Sequence, residues 1–198
     1  MAAERGLIDA KPEAAVDSTG LDATVHSTHY ARRRGKRYRL KKWPKLTLVV
    51  HTRSHLIVAA TLGAGPGQDA PLFEPAMVQA AWNLDIDRLL ADGGYDSEAN
   101  HEVAREGLGI RSTVINLNRR GKGKGRKSSP RKWARTRYRR QMYRRFHRRK
   151  YGQRWQSESA ISRFKRRLGS ALRSRSETAR ERESNLRVMT YNAMLLAA

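Results

Sequence analysis

The chain contains no cysteine, which excludes disulfides and thiolate metal centres and fits a reducing compartment. No apolar run is long enough to span a bilayer, and the opening MAAERGLIDAKPEA lacks the apolar stretch of a signal peptide. These absences predict a protein that neither crosses a membrane nor leaves the cytoplasm. Acidic side chains are scarce as well. Eighteen Asp and Glu stand against 42 Lys and Arg, a formal charge of +24. Such a surplus attracts polyanions and carries little information about fold. A length of 198 residues suffices for one domain with a sizeable core.

Acids are missing altogether from one segment. Residues 117–150 carry 17 Lys and Arg and no Asp or Glu, leaving 25 basic against 18 acidic side chains elsewhere, a net +7. The first part, NRRGKGKGRKSSP, is glycine-rich and is expected to hold no fixed structure unbound. Ser129 as N-cap and Pro130 at the first helical position predict a helix in the second part. Trp133, Tyr138, Tyr143 and Phe146 interleave with arginines there. Aromatics so placed either stack on unpaired bases or dock a basic helix on the core. Repulsion among so many like charges favours a polyanionic partner, and Lys132, Arg135, Arg139 and Arg140 are candidate phosphate contacts. A second basic cluster, ARRRGKRYRLKKW (31–43), is either another DNA contact or a solvated loop. GKGKG is not a phosphate-binding loop, since the G-x4-G-K-[ST] pattern is absent.

Around the basic segment the pattern is mixed. EAAVDST (13–19), KLTLVVHT (45–52) and HLIVAATLG (55–63) read as strands, with TRSH turning a hairpin between the last two. Asp69 is the expected N-cap of a helix whose core face is Phe73, Ala76, Met77, Ala80 and Ala81. IDRLLAD (86–92) reads as a strand ending at Gly93-Gly94, SEANHEVARE (97–106) as a helix closed by Gly107, and IRSTVIN (110–116) as a strand. Two helices follow, and the last shows a stripe of Leu186, Met189, Ala193 and Leu196. The order βββ-α-β-α-β-insertion-α-α predicts an α/β fold: a mixed five-stranded sheet with helices on both faces and right-handed connections. Residues 1–12 form a short tail, and 13–198 form the domain with its basic insertion.

The densest chemistry lies in YGQRWQSESAISRFK. At about 100° per residue, Tyr151, Arg154, Glu158 and Lys165 share an arc of roughly 60°. Ile161, Leu168 and Leu172 run beside that polar row as an apolar seam. Such a helix is either salt-bridged at Glu158 and Arg154 or carries a site. Asp17 stands within a strand, where Asp is a poor strand former, and Asp92 closes another. Open α/β sheets place their sites at the carboxyl ends of strands, so Asp17, Asp92 and Glu158 can converge there. Three carboxylates together repel unless a cation intervenes, and Mg²⁺ prefers such oxygen ligands. Each aspartate has an ordinary alternative, a capped turn or a strand end. Asp96 is a rival metal ligand whose position before SEANHEVARE favours an N-cap. His26 and His29 lack a third ligand nearby and read as structural or surface residues.

Over roughly residues 14–196, VDST, KLTLVVHT, DAPLF, ADGGYDSE and YGQRWQSESAISRFK together resemble the catalytic domain of DDE transposases from prokaryotic insertion sequences. The spacing Y-x2-R-x3-E-x6-K resembles the signature of one group within them. The resemblance implies an RNase H-like fold, with Asp17, Asp92 and Glu158 as catalytic ligands of two Mg²⁺ ions, for which Mn²⁺ can substitute. It implies DNA as partner, with Tyr151, Arg154 and Lys165 orienting DNA or the transition-state phosphate, and a homodimer acting on paired ends in the nucleoid. The implied chemistry is cleavage at transposon ends followed by strand transfer into target DNA. Family members usually carry a helical region upstream of the first strand. Its absence here leads to the expectation of a truncated copy or the second half of a frameshifted product. Two other classes remain open at this point: a non-catalytic basic DNA-binding fragment, and an RNase H-like nuclease without strand transfer.

Overall fold

Strands of eight and nine residues, with Val, Thr and Leu in the longest of them, and two four-residue strands supply the main sheet. The computed structural model describes residues 4–23, 43–65, 67–118 and 134–197. Strand β1 (Glu13–Gly20) is followed by a two-residue β2 (Asp22–Ala23), then β3 (Trp43–His51) and β4 (Ile57–Gly65). His55, at φ 61°, turns the β3–β4 hairpin. A 3₁₀ turn (Ala70–Leu72) leads into α1 (Phe73–Asn83), and β5 (Arg88–Ala91) follows. A second 3₁₀ turn (Gly93–Tyr95) precedes α2 (Glu98–Glu102), which widens into a π turn over Val103–Gly107 before β6 (Ser112–Ile115). After the basic segment come α3 (Arg137–Arg144), α4 (Arg148–Tyr151), a 3₁₀ turn (Gly152–Arg154) and α5 (Trp155–Leu168). Strand β7 (Ala171–Leu172) and α6 (Glu177–Leu196) complete the described chain.

The five-stranded sheet runs β4-β3-β1-β5-β6, and a small second sheet pairs β2 with β7. The pair β1–β3 is antiparallel, whereas β1–β5 and β5–β6 are parallel. This is the expected α/β fold with a mixed five-stranded sheet. Because side chains alternate along a strand, each face has its own core. Ala14, Val16, Val49, Leu89, Ala91 and Ile115 pack under α1 and the α2 turn, with Phe73, Met77 and Tyr95. On the other face, Leu46, Leu48, Val50 and Ile57 meet Ala160, Ile161 and Phe164 of α5 and Tyr191 of α6. Farther along that second face, Ala15, Leu90 and Val114 are covered by Phe146 and Tyr151.

Carboxamides occupy the first part of the β4 edge, from Ile57 to Ala60. Asn192 donates to Ile57 O at 2.8 Å and accepts from Ile57 N–H at 2.9 Å. Asn83 donates to Val58 O at 2.9 Å, and Gln79 accepts from Ala60 N–H at 3.1 Å.

Several sequence expectations are corrected. Asp69 makes no side-chain cap, because its carboxylate pairs with Lys45 of β3 instead. Ser97, not Asp96, caps α2, accepting from Asn100 N–H. Helix α5 stops at Leu168, where Gly169 takes φ 87°, a conformation open to glycine. Leu172 is therefore buried from β7, not from a continuing helix. Leu186 and Met189 are 63% and 67% exposed, and α6 buries Ser184 and Tyr191, with Val188 and Leu195 beside them. Tyr138 and Phe146 dock on the protein: Tyr138 is buried and stacked on His101, and Phe146 lies 5.0 Å from Tyr151. Tyr143 remains exposed. His26, His29, residues 31–42, Ser129, Pro130, Lys132 and Trp133 lie outside the described residues.

Candidate active site

The register of the sheet brings two acids together. The β1–β5 ladder pairs Val16 with Ala91 as its last rung, so Asp17 and Asp92 follow one step beyond it on neighbouring strands. Alternation turns both toward the second face, since Asp17 shares the parity of Ala15 and Asp92 that of Leu90. There they lie between the core under α5 and the one under Phe146 and Tyr151. Asp17 accepts from Ser18 N–H at 2.9 Å, and Asp92 accepts from Gly93 N–H at 2.7 Å.

Arg154 links the third acid to the same corner. Its guanidinium donates to Glu158 at 2.5 Å, comes within 3.8 Å of the Asp17 carboxylate and sits 5.7 Å from the Tyr151 ring centroid. The 3₁₀ turn before α5 keeps Tyr151 and Arg154, three residues apart, on one side, and Arg154 touches both the Tyr151 ring and, one α-turn on, Glu158. Lys165 lies farther along α5 and donates to Gly20 O, the last residue of β1, at 2.9 Å. Glu158 is 53% exposed, whereas the Asp17 side chain is 21% exposed.

Burial pushes the Asp17 carboxyl up to about 6; the Ser18 N–H and Arg154 pull it down, while Glu158 and Asp92 raise it further. The acid form is thus favoured in the folded state over the ordinary value of 3.8. In the folded protein this group holds its proton between pH 3.8 and 6, where the unfolded chain has released it. Its contribution to stability therefore falls as pH rises through that window. Denaturant midpoints of the metal-free protein should show this decline relative to Asp17→Asn. Parallel pH profiles for the two proteins would remove the assigned burial.

Among the described residues, no three His, Cys, Asp or Glu side chains are packed closely enough to hold a metal ion as the structure stands. The donor set nevertheless suits a hard divalent cation, because Asp17, Asp92 and Glu158 all offer carboxylate oxygen. The Arg154 guanidinium also marks the point between Asp17 and Glu158 where positive charge is stabilised.

The candidate phosphate contacts separate. Arg135 and Arg140 are exposed, with Arg140 also donating to Arg135 O at 2.7 Å. Arg139 is committed inward, since Asp96 takes its Nε at 3.0 Å and its Nη2 at 2.9 Å. Asp96 also accepts from Asn118 N–H at 2.8 Å, so the rival ligand is a structural clasp joining both flanks of the basic segment. Glu98 reinforces it by accepting from the N–H groups of Tyr138 and Arg139 at the start of α3. Sequence reasoning assigned no role to Glu98 or to Tyr95, whose hydroxyl is bonded to Ser18 at 2.6 Å. The signal for Tyr95 was its place inside the ADGGYD motif, but its partner is remote in sequence.

The family model described as a transposase DDE domain matches residues 9–193, and the chain belongs to that family. Membership implies a transposase function, DNA binding and dependence on a divalent metal ion, typically Mg²⁺. No curated protein matches the chain. No described helix is long and apolar enough to cross a membrane.

Proposed function

From membership in the transposase DDE family, we propose that this chain cleaves DNA at transposon ends and transfers the freed strand into target DNA. The observation that carries the proposal is that Asp17 and Asp92 follow the last β1–β5 rung on neighbouring strands, with Arg154 tying Glu158 to Asp17. Asp17, Asp92 and Glu158 would hold two Mg²⁺ ions, with Mn²⁺ as an acceptable substitute. When bound, the ions supply Lewis-acid polarisation of phosphoryl oxygens and lower the pKa of an attacking water or 3′-hydroxyl.

The remaining chemistry belongs to the chain. Asp17 must shed its proton to bind a cation, so metal affinity falls below about pH 6. Tyr151 and Arg154 flank the acids and orient the scissile phosphate, Arg154 by a forked, planar donor set suited to phosphate oxygens. Lys165, anchored at the end of β1, presents its ammonium to the DNA backbone. Arg135 and Arg140 extend the phosphate track, and Lys132 is a further phosphate contact in this reading. Arg139 contributes by fixing α3 through Asp96. Residues 13–198 form the catalytic domain, which acts as a homodimer on paired ends in the nucleoid.

The test is a joining assay with a labelled transposon end, target DNA and Mg²⁺. A covalent product between the two DNAs supports transposition. Cleavage without joining indicates a nuclease, and metal-independent binding alone indicates a DNA-binding fragment. Binding itself should depend steeply on salt, with a slope of about −0.9 in log K per neutralised phosphate. Replacing both Arg135 and Arg140 by Gln should lessen that slope by about 2, at about 1 per contact. Filter binding across a salt series reads it, and an unchanged slope would remove both arginines from the phosphate track.

A further inference from the structure

We propose that the Tyr95 hydroxyl is a positioning group for the metal-binding acids, locking the turn that carries Asp92 to the strand that carries Asp17. The role presupposes that Asp17 and Asp92 hold the metal.

Strand alternation turns Asp17 to the second face and Ser18 to the first. There the Ser18 hydroxyl meets Tyr95 OH at 2.6 Å and Thr47 Oγ1 at 2.7 Å. Ser18 and Thr47 are direct cross-strand partners, so the three hydroxyls join the Asp92 turn to β1 and β3 at once. The tie falls where the backbone ladder has ended. Val16 and Ala91 make the last β1–β5 rung, and the acids lie just beyond it.

The turn itself has little slack. Tyr95 N–H donates to Asp92 O at 3.0 Å, and Asp96 N–H donates to Gly93 O at 3.2 Å. A Cβ on Gly93 would meet Asn116 O at 3.1 Å, and one on Gly94 would meet an Asp69 carboxylate oxygen at 2.8 Å. The ring of Tyr95 is 1% exposed and lies 5.9 Å from Phe73. A displacement of the hydroxyl therefore moves the backbone of Asp92.

Partners one shell out from a metal ligand typically change metal affinity by about 10–100-fold when removed. Tyr95→Phe removes only the hydroxyl and keeps the ring against Phe73. Titrating the full chain with Mn²⁺ in the absence of DNA, read by electron paramagnetic resonance, should show a half-saturation concentration raised about tenfold or more. The melting temperature should change by only a few degrees, and high Mn²⁺ should restore nicking. Ser18→Ala should act in the same direction, and the double variant should lose less than the product of the two single effects. A merely structural role would lower the melting temperature and leave the titration in place. Asp92→Asn in the same titration separates the two levels. If it loses Mn²⁺ binding while Tyr95→Phe and Ser18→Ala titrate like the parent, the hydroxyl tie is refuted and the acids stand. If Asp92→Asn also titrates like the parent, the acids are not the metal site and the tie has no function to serve.

Discussion

Asp92→Asn is expected to abolish end cleavage and strand transfer while leaving the fold intact. The substitution preserves shape, and an amide oxygen can still accept from Gly93 N–H, so the 3₁₀ turn keeps its cap. What disappears is one of two adjacent anions past the β1–β5 ladder. Because outer-shell partners already cost up to about 100-fold, removing Asp92 in its proposed role as a ligand should cost more than that. One hundredfold corresponds to about 2.7 kcal/mol of transition-state stabilisation. DNA affinity should persist or improve, since a negative charge leaves the surface that meets phosphate. Turnover of a pre-nicked and an intact transposon end, measured beside melting temperature, checks both halves. Equal activity in the two proteins would strike Asp92 from the mechanism.

The second large effect is on stability. Asp96→Ala should destabilise the protein by about 3 kcal/mol or more, the usual cost of breaking a buried ion pair from one side. The Asp96 side chain is 0% exposed and Arg139 only 20%, so the stranded guanidinium cannot easily recover water. Asn118 N–H loses its acceptor as well. For a chain of this size the melting temperature should fall by roughly 10 °C. Asp96→Asn should fall between, because an amide oxygen can keep the Asn118 bond but not the charge pairing. Adding Arg139→Leu to Asp96→Ala should recover part of the loss, since no unpaired charge then remains. Thermal melts with and without Mg²⁺ distinguish a clasp from a ligand. A Mg²⁺-dependent difference between parent and Asp96→Asn would return Asp96 to the list of metal ligands.

Asp69 and Asp96 also show where the sequence stops being legible. Each precedes a helix, and local preference assigns both to N-caps. Both instead serve partners far along the chain, Lys45 and Arg139, which no short window contains. Strands β1, β3 and β4 were readable because alternation and β-branched side chains are local signals, and Gly93-Gly94 marked the end of β5. The row Tyr151–Arg154–Glu158 was readable for the same reason, being spaced at one helical repeat. Its approach to Asp17 is a product of tertiary packing, as is the choice of buried face in α6. A 3.6-residue period finds Leu186 and Met189 as readily as Val188 and Leu195. The position of Tyr191 against Phe164 of α5 and the bonds of Asn192 to Ile57 select between them.

The carboxamides along β4 have a consequence for behaviour at high concentration. A free strand edge offers a template on which other chains can polymerise. Here Asn192, Asn83 and Gln79 occupy the rungs at Ile57, Val58 and Ala60, so a newcomer must first strip hydrogen bonds worth about 0.5–1.5 kcal/mol each. The sheet ends at that margin for chemical reasons, and runaway self-pairing meets a barrier there without any further strand to guard it.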